Sequence, residues 1–248
     1  MKGLDFDAEE IDEHLYSPYK KYKSEMKMSR FMGENTVLSP PPAEIKDLMD
    51  AFEDNGYEIL VVGGAVRDAI LNLPIKDYDL ATNAKPDEIK EVVDGIKGYR
   101  YVLGPQAEKS LVNLTSLVNV PNQKEAIEIT TFRKELGYAG GRTKGVFEPA
   151  DTFEEDAERR DLTINAMGMN SKGEVIDPQG GLDDLQNGVI RAVGDPTQRF
   201  VEDPLRMIRA IRFSVRFGLP IDEETYQAIV ANADLVSTLS GRRLRDEI

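Results

Sequence analysis

The chain has 248 residues, 40% of them hydrophobic and 31% charged, enough to bury the core of one large domain or of a medium domain with an appendage. With no cysteine and a single histidine, His14, it excludes disulfides, thiolate nucleophiles, cysteine-held zinc and multi-histidine metal sites, leaving any metal to oxygen donors that suit magnesium, manganese or calcium. The formal charge of −14 means that a nucleic-acid partner must meet a local basic patch rather than bulk charge, and no apolar run approaches the roughly 20 residues of a membrane span or the core of a signal peptide, so no membrane association and a cytoplasmic location are expected.

Residues 1–39 differ from the rest. Asp5, Asp7, Glu9, Glu10, Asp12 and Glu13 come first, then Lys20, Lys21, Lys23, Lys27 and Arg30, with Tyr16, Tyr19, Tyr22 and Phe31 between them. This reads as an N-terminal arm, loosely docked or contacting RNA. Pro40, Pro41 and Pro42 close it. Ile45, Leu48, Met49 and Phe52 then recur at helical spacing, and Asn55-Gly56 stops the helix. Glu58 to Val62 predicts a buried strand, and Gly63-Gly64 turns the chain into a helix reaching about Asn72. Lys76 to Ala81 predicts a second strand, and Pro86 suits the first turn of a helix ending near Asp94. Two more strands are expected at 111–120 and 126–132, followed by a mobile loop rich in glycine and charge at 133–150. Thr152 and Glu155 form a capping-box pattern for a helix near Phe153. A hairpin around Ser171-Lys172-Gly173, a short helix stopped by Gly188 and a strand at 189–193 come next. From Asp195 the pattern is helical: Gly218 stops one helix, Asp222 caps another and Ser240 opens a third.

The densest chemical signal is VVGGAVRDAILNLPIKDYDLAT, from Val61 to Thr82. Asp77 and Asp79 stand two apart, which on a strand places both carboxylates on one face. Two such charges repel by roughly 3 kcal/mol at an effective dielectric of ~20. A hard cation between them explains the pair better than any structural need. Gly63-Gly64, between strand and helix, is a position suited to phosphate. Each feature alone is common in ordinary folds; together, one short helix apart, they point to nucleotide chemistry. Glu128, in step with Ala126 and Thr130 on its strand, completes a three-carboxylate site if that strand neighbours the one bearing Asp79. Arg159, Arg160, Asp161 and Asn165 offer groups for a triphosphate and a ribose. Asp203 and Arg206, three apart on an expected helix face, are either an ion pair or a donor and acceptor set for a base edge.

The ordered segments GGAVRD, DYDLAT, RRDLTINAM, DPQGGLDDL with VIRAV, and EDPLRMIRAIRF resemble those of the class II tRNA nucleotidyltransferases (CCA-adding enzymes) and the similar bacterial poly(A) polymerases. SGRRLRDEI resembles the start of that family's fifth motif. The resemblance runs from about Pro41 to the C-terminus. It implies an α+β fold, a polymerase-β-like nucleotidyltransferase palm with a mixed sheet and flanking helices, followed by a helical neck. It further implies that Asp77 and Asp79 hold two magnesium ions, that Gly63, Gly64 and Arg67 belong to the triphosphate pocket, that Arg160, Asp161 and Asn165 contact nucleotide, and that Asp203 with Arg206 reads the incoming base. The segment at 133–150 falls where the family has a mobile loop linked to the last adenine addition.

Three departures stand beside the resemblance. Family members continue into body and tail helices, Gly104-Pro105-Gln106-Ala107-Glu108 replaces an expected Phe-Gly-Thr-like stretch, and the arm has no counterpart. The expected division is therefore an arm at 1–39, a head at 40–193 and a shortened helical neck at 194–248. The expected reaction is template-independent addition of C and A from CTP and ATP to the 3′ end of tRNA. Arg209, Arg212 and Arg216 supply the local basic surface for RNA, and the absent helices leave three readings open: a natural minimal form, a split enzyme whose partner chain supplies them, or a shortened chain. The alternatives are a poly(A) polymerase, an enzyme adding only CC or only A, and a nucleotide- or RNA-binding half-enzyme.

Overall fold

The computed structural model describes residues 36–102, 114–138 and 145–248. Of the expected arm, residues 1–35 lie outside these, His14 among them, as do Gly104 to Glu108. The chain divides into two compact units between Gly181 and Leu182.

The first unit begins with residues 36–38 running beside a later hairpin: Val37 bridges Glu174, and Leu38 N donates to Gly173 O at 2.7 Å. Helix α1 (Ala43–Asp54) follows, and the four residues its periodicity marks, Ile45, Leu48, Met49 and Phe52, are all buried. Strand β1 (Ile59–Val62) is buried along its length. Helix α2 (Gly64–Ile70) packs on it. Strand β2 (Asp79–Thr82) starts later than the sequence predicts, because residues 73–78 adopt no regular structure. Helix α3 (Pro86–Asp94) begins at its proline, with Glu88 Oε2 accepting from Lys85 N. Then come β3 (Arg100–Tyr101), β4 (Thr115–Asn119) and β5 (Ile127–Thr131). The segment expected as a mobile loop forms two paired strands, β6 (Arg133–Tyr138) and β7 (Gly145–Pro149). Helix α4 (Phe153–Glu158) is capped by Thr152 Oγ1, which accepts from Glu155 N. Glu155 returns to Asp151 N rather than Thr152 N, so the reciprocal half of the box is displaced by one residue. A 3-10 turn (Thr163–Asn165) leads into the hairpin β8 (Gly168–Met169) and β9 (Val175–Ile176).

Seven strands form one mixed sheet in the order β3-β4-β5-β2-β1-β8-β9. Among the described residues of this sheet, only β2 and β5 pair in parallel. This is the palm with flanking helices that the sequence implies.

The second unit holds α5 (Gly181–Asn187, from Leu182 onward), α6 (Pro196–Glu202), α7 (Leu205–Phe217), α8 (Glu223–Asn232), a 3-10 turn (Ala233–Thr238) and α9 (Gly241–Glu247). Its core gathers Ala192, Phe200, Met207 and Ala228, with Ile229, Leu235 and Val236 packed against them. The stretch expected as a strand at 189–193 forms no strand; Ile190 makes an isolated parallel bridge to Ile221. Ile190 N donates to Pro220 O, Ala192 N donates to Thr225 Oγ1, and Arg191 pairs with Asp184 and Asp222. These bonds tie residues 190–192 to the helical unit. Gly218 ends α7 in the left-handed region at φ 64°, where a β-carbon is disfavoured.

Phe153 anchors α4 beneath the sheet, fully buried with its ring 5.9 Å from that of Phe132. Phe153→Ala is expected to cost about 3–5 kcal/mol in urea unfolding, whereas Val215→Ala on the exposed side of α7 changes stability by less than about 0.5 kcal/mol.

Candidate active site

Antiparallel pairing of β1 with β2 sets Val62 opposite Asp79, so the end of one strand lies beside the start of the other. The turn at Gly63 and the carboxylate of Asp79 are therefore neighbours by register. Gly63 has φ 69° and ψ −128°, a conformation that L side chains avoid. Its N–H donates to Met167 O at 3.1 Å, so that amide is already used within the fold. Positive charge at the turn comes from Arg160, whose Nη1 lies 3.5 Å from where a β-carbon on Gly63 would be.

Asp77 lies in the irregular stretch before β2, not on the strand, so the two aspartates do not share a strand face by alternation. They still line one cavity with Glu128. Parallel pairing of Leu80 with Ile129 puts Asp79 and Glu128 one step earlier on adjacent strands. Burial pushes the Asp79 carboxyl above its ordinary value, and Asp77 adds to this while Arg160 opposes it. Burial also raises Glu128, with Asp79 adding and Arg133 opposing. Among the described residues, no side chain forms an ion pair or hydrogen bond with any of the three carboxylates. Nor do three acidic side chains there already stand as a closed metal-ligating cluster. Hard oxygen donors that repel one another, and that no ion pair or hydrogen bond among the described residues holds, fit a divalent cation at Asp77 and Asp79.

The other residues of this unit form one network. Arg160 Nε and Nη2 both donate to Asp156 Oδ2, at 3.1 and 2.8 Å, and Nη1 donates to Asn165 O. Arg159 grips Asp156 Oδ1 and donates to Arg133 O. Asn165 Oδ1 accepts from Arg67 Nη1, and its Nδ2 donates to Asp161 Oδ1 at 3.4 Å. Arg67 is only 3% exposed and is also paired with Asp68 at 2.7 Å. Its charge is thus held inside the network, linking α2 to the Thr163–Asn165 turn. Gly64 opens α2 next to that guanidinium.

Asp156 is the residue that the motif reading missed. Its spacing gives it away: it stands three and four residues before Arg159 and Arg160, so one helical turn brings both guanidiniums to it. Its side chain is fully buried. Burial alone would raise its carboxyl, but Arg160 and Arg159, by charge and by hydrogen bonds, more than offset that and hold it below the ordinary 3.8.

In the second unit, Asp203 precedes α7 instead of sharing its face with Arg206. Pro204 is the N-cap, and Asp203 Oδ1 accepts from Leu205 N at 3.1 Å. Asp203 Oδ2 accepts from Arg243 Nη2 at 2.8 Å, while Arg206 Nη1 pairs with Glu202 at 2.8 Å. The Asp203 side chain is thus held by Arg243 and that of Arg206 by Glu202, while the two residues meet through the backbone, Arg206 N donating to Asp203 O at 3.0 Å. Of the expected RNA-contacting arginines, Arg212 pairs with Glu247 and lies over Phe213, and exposed Arg216 lies over Phe217. Arg209 also lies on α7, half-buried. Among the described residues, no helix is long and apolar enough to cross a membrane.

Residues 59–191 match the family model described as the poly(A) polymerase head domain, and residues 218–248 match one described as a probable RNA and SrmB-binding site of polymerase A. The CCA-adding enzyme of Ligilactobacillus salivarius is 40% identical over 214 residues, covering 85% of this chain and 50% of that enzyme. The CCA-adding enzyme of a Geobacillus species is 40% identical over 210 residues, with coverage of 85% and 49%. The crystal structure of the Bacillus stearothermophilus CCA-adding enzyme in complex with CTP superposes with a TM-score of 0.73 at 34% identity, covering 85% of this chain and 48% of that one. The chain spans about half the length of the curated relatives it matches.

Replacing Asp156 by Asn leaves two guanidiniums without their carboxylate and is expected to cost about 3 kcal/mol or more at pH 7. Because the folded carboxyl lies below 3.8, the stabilisation by Asp156 is full above that value and is lost as pH falls through the lower folded value. Urea unfolding should therefore show the gap between Asp156→Asn and the unaltered chain narrowing on acidification.

Proposed function

Because the chain belongs to the poly(A) polymerase head-domain family, we propose that it is a template-independent nucleotidyltransferase that adds C and A from CTP and ATP to the 3′ end of tRNA. The observation that carries this reading is the register that sets Asp79 beside the Gly63 turn and Glu128 beside Asp79. A phosphate-suited turn flanked by Arg160 and a cavity of uncompensated carboxylates is the arrangement that phosphoryl transfer needs.

In the proposed reaction the primer 3′-oxygen bonds to the α-phosphorus while the bond to the β-phosphate bridge breaks and pyrophosphate leaves. Asp77 and Asp79 would hold magnesium, which when bound would supply Lewis acidity toward the 3′-hydroxyl and charge neutralisation for the triphosphate. Arg160, fixed by Asp156, offers positive charge to the phosphates beside Gly63 and Gly64. Asn165 and Asp161 present an amide and a carboxylate suited to a ribose. Arg67 acts by positioning Asn165. Glu128 takes the 3′-hydroxyl proton. Asp203 and Arg206 give an acceptor and donors that match a cytosine or an adenine edge. Arg209, Arg212 and Arg216 contribute to RNA binding through phosphate contacts.

The family model named for poly(A) polymerase supports a second reading, unlimited A addition. Primer extension separates the two readings. With tRNA transcripts ending before, within and one short of CCA, the proposed reading gives C, C and A and then stops, whereas a poly(A) polymerase continues with ATP alone. No extension with nucleotide binding intact would indicate a half-enzyme.

The metal reading predicts opposite effects on stability and activity. The fold raises the Asp79 carboxyl, so above that raised value the ionised group opposes folding. Asp79→Asn should therefore raise Tm in magnesium-free buffer while abolishing extension. Magnesium should raise the Tm of the unaltered chain but not that of an Asp77→Asn, Asp79→Asn variant. Glu128→Gln should slow extension by about 10²- to 10⁴-fold with CTP binding retained.

A further inference from the structure

The turn between β4 and β5 carries groups that the proposed reaction leaves unused. Lys76, Gln123 and Lys124 line a cavity of about 650 Å³ together with Asp77, Asp79 and Glu128. Neither Gly63, Gly64 nor Arg160 lines it. Sheet order explains the separation. β2 lies between β1 and β5, so the Gly63 turn flanks the carboxylates on the β1 side and the β4–β5 turn flanks them on the β5 side. An in-line displacement needs this geometry, because the attacking oxygen and the leaving phosphate stand on opposite sides of the α-phosphorus.

The chemistry of the lining is as specific as its place. Four carboxylates, those of Asp77, Asp79, Glu125 and Glu128, share the cavity with two ammonium groups, yet among the described residues neither Lys76 nor Lys124 forms an ion pair or hydrogen bond through its side chain. Both cations are therefore available to an anion that enters. The turn that carries Lys124 is held in shape: Asn122 adopts φ 61°, its Nδ2 donates to Glu44 Oε1, and Gln123 N donates to Val120 O at 3.2 Å. The volume falls within the range of ordinary ligand pockets, enough for a nucleotide with its 5′ phosphate.

We propose that this cavity receives the 3′-terminal nucleotide of the RNA acceptor. Lys76 and Lys124 neutralise its last phosphodiesters, and the Gln123 amide hydrogen-bonds a ribose hydroxyl or base edge. This assignment rests on the nucleotidyltransferase reading above and adds to it the residues that hold the second substrate.

The test uses the full chain with magnesium, and Lys76→Ala, Lys124→Ala, the double alanine variant and the double arginine variant. Binding of a 5′-labelled six-nucleotide RNA ending in CC is followed by fluorescence anisotropy, and KM values for tRNA transcript and CTP are measured by extension. The double alanine variant is expected to bind the RNA about tenfold more weakly and to raise the KM for tRNA by a similar factor, with the KM for CTP unchanged. The salt dependence of RNA binding should fall by about 0.7 per lysine removed, and the arginine pair should restore affinity. A raised KM for CTP with RNA affinity intact would overturn the assignment and give the cavity to the nucleotide. No change in either quantity would also overturn it, leaving two solvated lysines. If the unaltered chain extends no primer but shows the lysine-dependent RNA binding, the reaction assignment fails and the RNA site stands.

Discussion

The pairing of β1 with β2 fixes the site. Because the strands are antiparallel, Val62 at the end of one lies opposite Asp79 at the start of the other, and the glycine turn cannot leave the carboxylate without a register slip. Such a slip would turn the inward residues of a fully buried strand outward, so the packing of Ile59, Leu60, Val61 and Val62 enforces the register. Parallel pairing of β2 with β5 then adds Glu128 on the other side. One central strand thus divides the site into a turn with Arg160 on one flank and a polar cavity on the other.

The charge arrangement follows two opposite rules within a short span. Asp156 is buried and fully paired with Arg159 and Arg160, and its neighbours hold its carboxyl low. Asp79 and Glu128 have no such partners among the described residues, and both carboxyls are raised. The first carboxylate stabilises the fold and aims a guanidinium. The others oppose folding while they are ionised and uncompensated, a tolerance that native proteins show where function requires it.

Much of this was legible in the sequence, and the gaps have physical causes. The spacing of Ile45, Leu48, Met49 and Phe52 located α1 because a single apolar stripe faces the core. Pro86, Gly218 and Asp222 marked helix ends because the backbone preferences of the first two and the side-chain cap of the third act locally. Asp77 was misplaced on a strand because alternation says nothing of where pairing begins, and the partner strand β1 is only four residues long. The strands at 133–138 and 145–149 were hidden by charge and glycine, yet Arg133 stacks over Phe147 and its N–H meets Asp156. The division of the chain between residues 181 and 182 depends on long-range bonds from Ile190 and Arg191 to the residues around Asp222, which local pattern cannot reveal.

The central claim is that Asp77 and Asp79 form a metal-holding pair at the boundary of two substrate flanks. Anomalous diffraction from crystals grown with manganese and CTP tests it most directly. The account predicts manganese density coordinated by the Asp77 and Asp79 carboxylates, with the triphosphate toward Gly63 and Arg160. Manganese bound at other acidic side chains, with these two carboxylates unoccupied in the presence of nucleotide, would contradict it.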